Sequence, residues 1–137
     1  TVTGANGCEG TDSVSVSQDI AVPIVGIADP QTLSCIVTSV TLDGSVSGGT
    51  PPYTYTWSDA DGNVVGTMED VDVSEPGTYT LTVTGGNCCS ASACVTVNQD
   101  IEPPVIDAGA DRELTCLVDE VTLSVCASGG REPYLFL

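Results

Sequence analysis

Residues 1–56 align without a gap on residues 82–137, a period of 81 residues with 23 identities. TVTG at 1–4 falls on TVTG at 82–85, QDI at 18–20 on QDI at 99–101, VTL at 40–42 on VTL at 121–123, and SGG at 47–49 on SGG at 128–130. A fixed period without insertions is the mark of one structural unit copied in tandem. It limits what the chain can fold into: each copy must close its own core within about 80 residues, or borrow one from its neighbour. The expected division is three parts. Residues 1–19 are the last strands of one repeat, residues 20–101 a complete repeat, and residues 102–137 the first strands of a following one.

Charge narrows the partners. Nineteen acidic residues face two bases, Arg112 and Arg131, with no lysine or histidine, for a net charge of −17. Such a surface repels phosphate backbones and anionic lipid, so nucleic acid is excluded as a partner and membrane-surface binding is disfavoured. It attracts divalent cations instead. No apolar run in this segment is long enough to cross a bilayer as a helix, so no membrane insertion is expected from it.

Val, Thr and Tyr alternate over short runs broken by Gly, Pro and Asp, the pattern of half-buried strands. Strands are predicted at 24–28, 32–37, 40–47, 53–59, 63–68, 71–74, 78–84 and 92–98. Apolar residues keep a period of two, as in Val40, Leu42, Val46; Tyr53, Tyr55, Trp57; and Tyr79, Leu81, Val83. One apolar and one polar face per strand is what two stacked antiparallel sheets require. No stretch carries a useful helical period. The fold class is therefore all-β, an antiparallel sandwich in tandem copies, with Trp57, Tyr79 and Leu42 in its core. SGGTPPY (47–53), DADGN (59–63), EPGTY (75–79) and TGGN (84–87) read as turns. QDIAVP (18–23) and QDIEPP (99–104) read as linkers stiffened by proline.

Seven cysteines suggest an oxidising compartment. Cys8, Cys35, Cys89 and Cys116 obey the period, as Cys8/Cys89 and Cys35/Cys116. The natural pair within the complete repeat is Cys35–Cys89, closing a loop of 54 residues. Such a staple would contribute roughly 4 kcal/mol and suit a unit near the lower size limit for stability. Cys8 and Cys116 then find partners in adjacent repeats. Cys88, Cys94 and Cys126 lie on Gly7, Ser13 and Ser45 of the other copy. They are candidates for one further bridge, either Cys88–Cys94 across a local turn or Cys94–Cys126 between neighbouring domains or chains; the alternative is one local bridge and a free thiol.

In order along the chain, TLSC (32–35), VTLDGS (40–45), GGTPPYTYTW (48–57), GTYTLTVT (77–84), N-x-C (87–89) and VTVNQD (95–100) resemble PKD-like repeats of the immunoglobulin fold. These repeats occur in very large secreted and cell-surface proteins of Bacteroidota, including gliding-adhesin-type proteins. The resemblance covers residues 23–100 as one unit and 1–19 and 104–137 as parts. It implies an extracellular or cell-surface location, with Trp57 and the Cys35–Cys89 pair as core elements. Cys88, Cys94 and Cys126 depart from the pattern.

Other candidate sites are each matched by a plainer reading. Asp59, Asp61 and Asn63 spell D-x-D-G-N, the first half of a calcium loop, with Asp70 at the place of the closing acid. The same residues suit a bare hairpin turn. Asp19 and Asp29 at one junction, and Asp100, Glu102, Asp107 and Asp111 at the next, could share calcium or merely be solvated. Calcium is thus the one cofactor considered, and otherwise none is expected. Thr54, Thr56, Thr78, Thr80, Thr82 and Thr84 form rows open to O-linked sugars, or ordinary exposed strand faces.

Catalysis finds no foothold. Without His or Lys the usual general bases and Schiff-base nucleophiles are missing, and no nucleophile or phosphate-loop motif occurs, so the chain is not expected to be an enzyme. The expected role is a structural repeat of an acidic extracellular stalk or filament, stapled by disulfides, open to glycosylation, and associating with adjacent repeats or with copies of itself. The alternatives are an adhesin or carbohydrate-binding module contacting surface glycans, or a spacer within a secreted enzyme. An exposed Trp57 would favour glycan binding.

Overall fold

The computed structural model describes residues 1–136; Leu137, the end of the third expected segment, lies outside the described residues. The regular elements are thirteen strands: β1 (Val2–Thr3), β2 (Glu9–Gly10), β3 (Pro23–Ile27), β4 (Leu33–Ser34), β5 (Val40–Gly48), β6 (Thr54–Ser58), β7 (Val64–Gly66), β8 (Asp70–Val73), β9 (Gly77–Thr84), β10 (Ser90–Val97), β11 (Gln99–Asp100), β12 (Val105–Asp107) and β13 (Cys126–Ser128). The complete repeat makes two antiparallel sheets, β10-β9-β6-β7 and β3-β5-β8. The protein is an all-β sandwich of the immunoglobulin-like class.

Alternation along β5 and β9 explains why these sheets face each other. Val40, Leu42 and Gly44 point inward between exposed Thr41, Asp43 and Ser45, and on β9 Tyr79, Leu81 and Val83 point inward between half-buried Thr80 and Thr82. Together with Leu33, Trp57, Val73 and Val97 they form one core cluster. Trp57 is fully buried and donates its indole N–H to the Glu69 carbonyl at 3.1 Å, which satisfies the one polar atom that burial would orphan. Gly44 makes room for that ring: a Cβ there would stand 2.5 Å from the Glu69 oxygen and 2.8 Å from Leu81 Cδ2. Tyr79 donates its hydroxyl to the Glu75 carbonyl at 2.9 Å, the tyrosine-corner arrangement of immunoglobulin-type sandwiches. Burial, with the nearby Glu75 carboxylate, holds its phenol above the ordinary value.

The repeat seen in sequence is also a repeat of register. Val2 pairs with Gly10 and Thr3 with Glu9, matching Val83 with Ala91 and Thr84 with Ser90 one period on. Val105 pairs with Ser128, matching Ile24 with Ser47.

Two local expectations are corrected. The strand predicted at 32–37 is only two residues long, because Ser34 closes a turn: its N–H donates to the Val37 carbonyl at 2.8 Å and its hydroxyl accepts from the Val37 N–H at 3.1 Å. The first residues of the QDI segment, expected to be linker, form β11, which pairs parallel with β4 through Gln99–Leu33 and Asp100–Ser34.

The disulfide expectation is also corrected. All seven cysteines are free thiols. Cys35 lies in the turn after β4, beside the end where the chain leaves the sandwich; Cys89 lies in the β9–β10 loop at the opposite end. The eight residues of β10 separate those ends, which at about 3.3 Å per residue is roughly 25 Å. A disulfide needs Cα atoms about 4.4–6.8 Å apart. The Cys35–Cys89 staple within one repeat is therefore not formed, and the core is apolar: Leu42 on β5 and Leu81 on β9 join Trp57.

Candidate functional site: the joint between repeats

The chain enters the complete repeat at the end formed by Pro23, the β5–β6 turn and the β9–β10 loop, here called the head. It leaves at the tail, formed by β4 and β11. The first QDI segment enters the head of the complete repeat, and the second lies where its tail meets the next head.

Asp19 is the centre of the head contact. Its Oδ2 accepts from the Thr50 hydroxyl at 2.6 Å, and its Oδ1 accepts from the Ala21 N–H at 3.2 Å and from Asn87 Nδ2 at 3.1 Å. The Thr50 bond, then the Ala21 amide, hold its carboxyl below the ordinary value of 3.8. Asn87 ties this point to the β9–β10 loop: Nδ2 also donates to the Ala21 carbonyl at 2.9 Å, and Oδ1 accepts from the Cys89 N–H at 3.1 Å. The Gly86 N–H donates to the Thr50 carbonyl at 2.7 Å, joining the two head loops. Gly49 adopts φ of 69°, and a Cβ there would stand 2.9 Å from Pro23 N, so the turn closes directly on the incoming chain.

One period later the same aspartate, Asp100, is part of β11 and so belongs to the tail of the complete repeat. It also meets the next head, where Arg131 stands at the Thr50 position and its Nη1 lies 3.8 Å from Asp100 Oδ2. Gly130 presses on Pro104 N as Gly49 presses on Pro23 N, at 2.8 Å for an added Cβ. Tyr134 donates its hydroxyl to the Gly129 carbonyl as Tyr53 donates to Gly48. One aspartate is therefore a tail strand residue of one repeat and a ligand of the head of the next.

The remaining sequence candidates fall outside this joint. Asp59 closes its own turn: Oδ1 accepts from the N–H groups of Asp61 at 3.0 Å and Asn63 at 2.8 Å, and Oδ2 accepts from Asn63 Nδ2 at 2.9 Å. Those bonds, the Asn63 side chain first, lower its pKa. An open depression beside the turn is lined by Asp59, Asp61, Asp72 and Glu75 together with Pro76 and Tyr79. Among the described residues no group of three or more acidic or cysteine side chains is arranged to hold a metal ion. Cys88, Cys94 and Cys126 are exposed, Cys88 with φ of 64° at a position where the other copy has glycine. Of the threonines, Thr54 and Thr78 are exposed and Thr56, Thr80 and Thr82 half-buried. Trp57 is fully buried, and Tyr53 and Tyr55 are half-buried.

Sequence reasoning missed Thr50 and Asn87 as joint residues. A signal was present for Asn87: Asn6 and Asn87 are one period apart, and Asn6 Oδ1 accepts from the Cys8 N–H at 3.2 Å as Asn87 accepts from Cys89.

Comparisons with known proteins agree with this architecture. The model of the SprB repeat matches residues 39–62, which cover β5, β6 and the turn after them. The solution structure of the PKD domain (329–428) from human KIAA0319 is similar with a TM-score of 0.50 and 20% identity, covering 67% of this chain and 93% of that one. The three N-terminal domains of the bacteriophage RB49 highly immunogenic outer capsid protein are similar with a TM-score of 0.50 and 26% identity, covering 64% of this chain and 32% of that one. No curated protein matches by sequence. At such identities the likeness to KIAA0319 speaks to the fold alone. The fold is that of a PKD/immunoglobulin-like β-sandwich.

Proposed function

We propose that the chain is a structural segment of a bacterial cell-surface or secreted polypeptide, in which PKD-like repeats are joined into a stiff acidic stalk of the gliding-adhesin type. The observation that carries this reading is the double role of the QDI aspartate. Asp100 is strand in one repeat and ion-paired to the head of the next, and its counterpart Asp19 is hydrogen-bonded to the head it enters, so bending at the joint costs contacts. The SprB-repeat match supports a surface location. Catalysis is no part of this role. The work is to span distance, through strands that lie along the array and joints that keep successive repeats in line. Outward hydroxyls at Thr54 and Thr78 are open to O-linked sugars, which would shield the shaft from proteases.

Glycan binding through an aromatic platform is disfavoured, because Trp57 is at 0% exposure and its indole N–H is used internally. The deciding experiment is small-angle X-ray scattering on two, three and four tandem copies of residues 20–100. A stiff array lengthens by a constant increment of roughly 40 Å per copy, a nine-residue strand plus its end loops. A maximum dimension that grows as the square root of copy number, as beads on a flexible linker do, overturns the reading.

A further inference from the structure

We infer that the joint is a site of covalent cross-linking, with Cys35 of one repeat bonded to the Cys89 counterpart of the repeat that follows it. The inference rests on the tandem reading above and adds a bond to it. The two period-keeping cysteines of a repeat sit at opposite poles, Cys35 at the tail and Cys89 at the head. They cannot reach each other within a repeat, but the tail that holds Asp100 meets the following head at Arg131.

Both thiols flank the same aspartate. Cys35 follows Ser34, whose register partner is Asp100. On the head side, Asn87 donates to the corresponding aspartate, Asp19, at 3.1 Å and accepts from the Cys89 N–H at 3.1 Å. Cys35 is exposed in its turn and Cys89 is partly accessible. Head and tail cysteines alternate along the chain: Cys8 and Cys89 are heads, Cys35 and Cys116 are tails. The partner of Cys35 is the head cysteine one period beyond Cys89, and the partner of Cys89 is the tail cysteine one period before Cys35. Both partner positions fall outside residues 1–137.

Bond formation is a two-electron oxidation. Two thiols lose two protons and two electrons, one S–S bond forms, and the electrons pass to the disulfide of a thiol–disulfide oxidoreductase, which leaves as its dithiol. Cross-joint bonds would make the array continuous in sulfur as well as in backbone, each repeat being tied to both neighbours.

The test uses two direct copies of residues 20–100, a span that contains both sheets and every buried core residue. In one variant only Cys35 of the first copy and Cys89 of the second are kept, the other cysteines becoming serine. In the control only Cys89 of the first copy and Cys35 of the second, at the outer poles, are kept. Both are oxidised with glutathione disulfide, and Trp57 fluorescence reports folding. Arg112 and Arg131 are the only basic residues, so this span has no tryptic site and mapping uses cleavage before aspartate. The joint variant should fall from two titratable thiols to none as a monomer, with one cross-linked peptide holding both cysteines, while the control keeps two thiols or links only between molecules. Two free thiols in the folded joint variant, or equal bridging within monomers of the control, overturns the inference. Scattering of the reduced joint variant reads stiffness separately, so loss of the bond and loss of the stalk reading are distinguishable.

Discussion

Trp57 illustrates how much of this small fold depends on one side chain. It fills the middle of the sandwich at zero exposure, and its N–H has a single backbone partner. Trp57→Ala should destabilise the repeat by about 3–5 kcal/mol, through lost burial and a cavity. Urea unfolding followed by far-ultraviolet circular dichroism would measure it, and a loss under about 1 kcal/mol would contradict the packing described. Asp19 offers a second residue-level test with a defined sign. Its folded pKa is lowered by Thr50 and then by the Ala21 amide, so its stabilising contribution is fully present above the ordinary value of 3.8 and lost as pH falls through the lower folded value. Asp19→Ala should therefore melt below the parent at neutral pH, and the gap should close in acid below about pH 4. A gap that persists unchanged into strong acid would assign the effect to something other than the charged carboxylate.

At the scale of elements, the β9–β10 loop is the piece that ties the sandwich to the incoming chain. Asn87 bonds the incoming chain at Asp19 and Ala21 and bonds its own loop at Cys89. Asn87→Ala removes all of these at once, with a net cost of about 1 kcal/mol per bond lost at most. Amide hydrogen exchange should show the larger effect at the joint: faster exchange at Ala21 and Cys89, with strands β6 and β9 unchanged. Uniform acceleration would mean that the loop supports the core rather than the joint. Much of this element-level picture was legible beforehand. Strict alternation in β5 and β9 marked both as two-faced strands, and the Gly/Pro turns bounded them. The turn at Ser34 was not legible, because TLSCIV alternates acceptably as a strand and only the serine hydroxyl's backbone bonds end it. Nor was β11 legible: two polar residues carry no periodicity, and their pairing depends on where β4 lies in space.

For the whole molecule, the two head turns are alike in geometry and their aspartate contacts unlike in chemistry. Asp19 meets the neutral donors Thr50 and Asn87, whereas Asp100 meets a guanidinium, Arg131, at 3.8 Å and largely in solvent. An exposed ion pair is worth little and is screened by salt. Stiffness at an Arg131-type joint should decline between low and high ionic strength while the Thr50-type joint holds. Measuring the salt dependence of scattering for arrays carrying Thr50→Arg at every joint, against the unsubstituted array, checks this; identical salt responses would show that the ion pair does not govern the hinge.

The 81-residue period, the two-residue alternation and the absence of lysine and histidine belong to the sequence alone. They were enough to set an all-β fold and its apolar face, because side-chain period follows directly from backbone geometry. The pole on which each cysteine lies was decided only in three dimensions. Counting residues between Cys35 and Cys89 says nothing about distance once the intervening chain crosses between two sheets, and the last strand before Cys89, β9, leads from one end of the sandwich to the other. The partners of Asp19 were decided the same way, since they come from segments 31 and 68 residues distant and meet only when the sandwich closes.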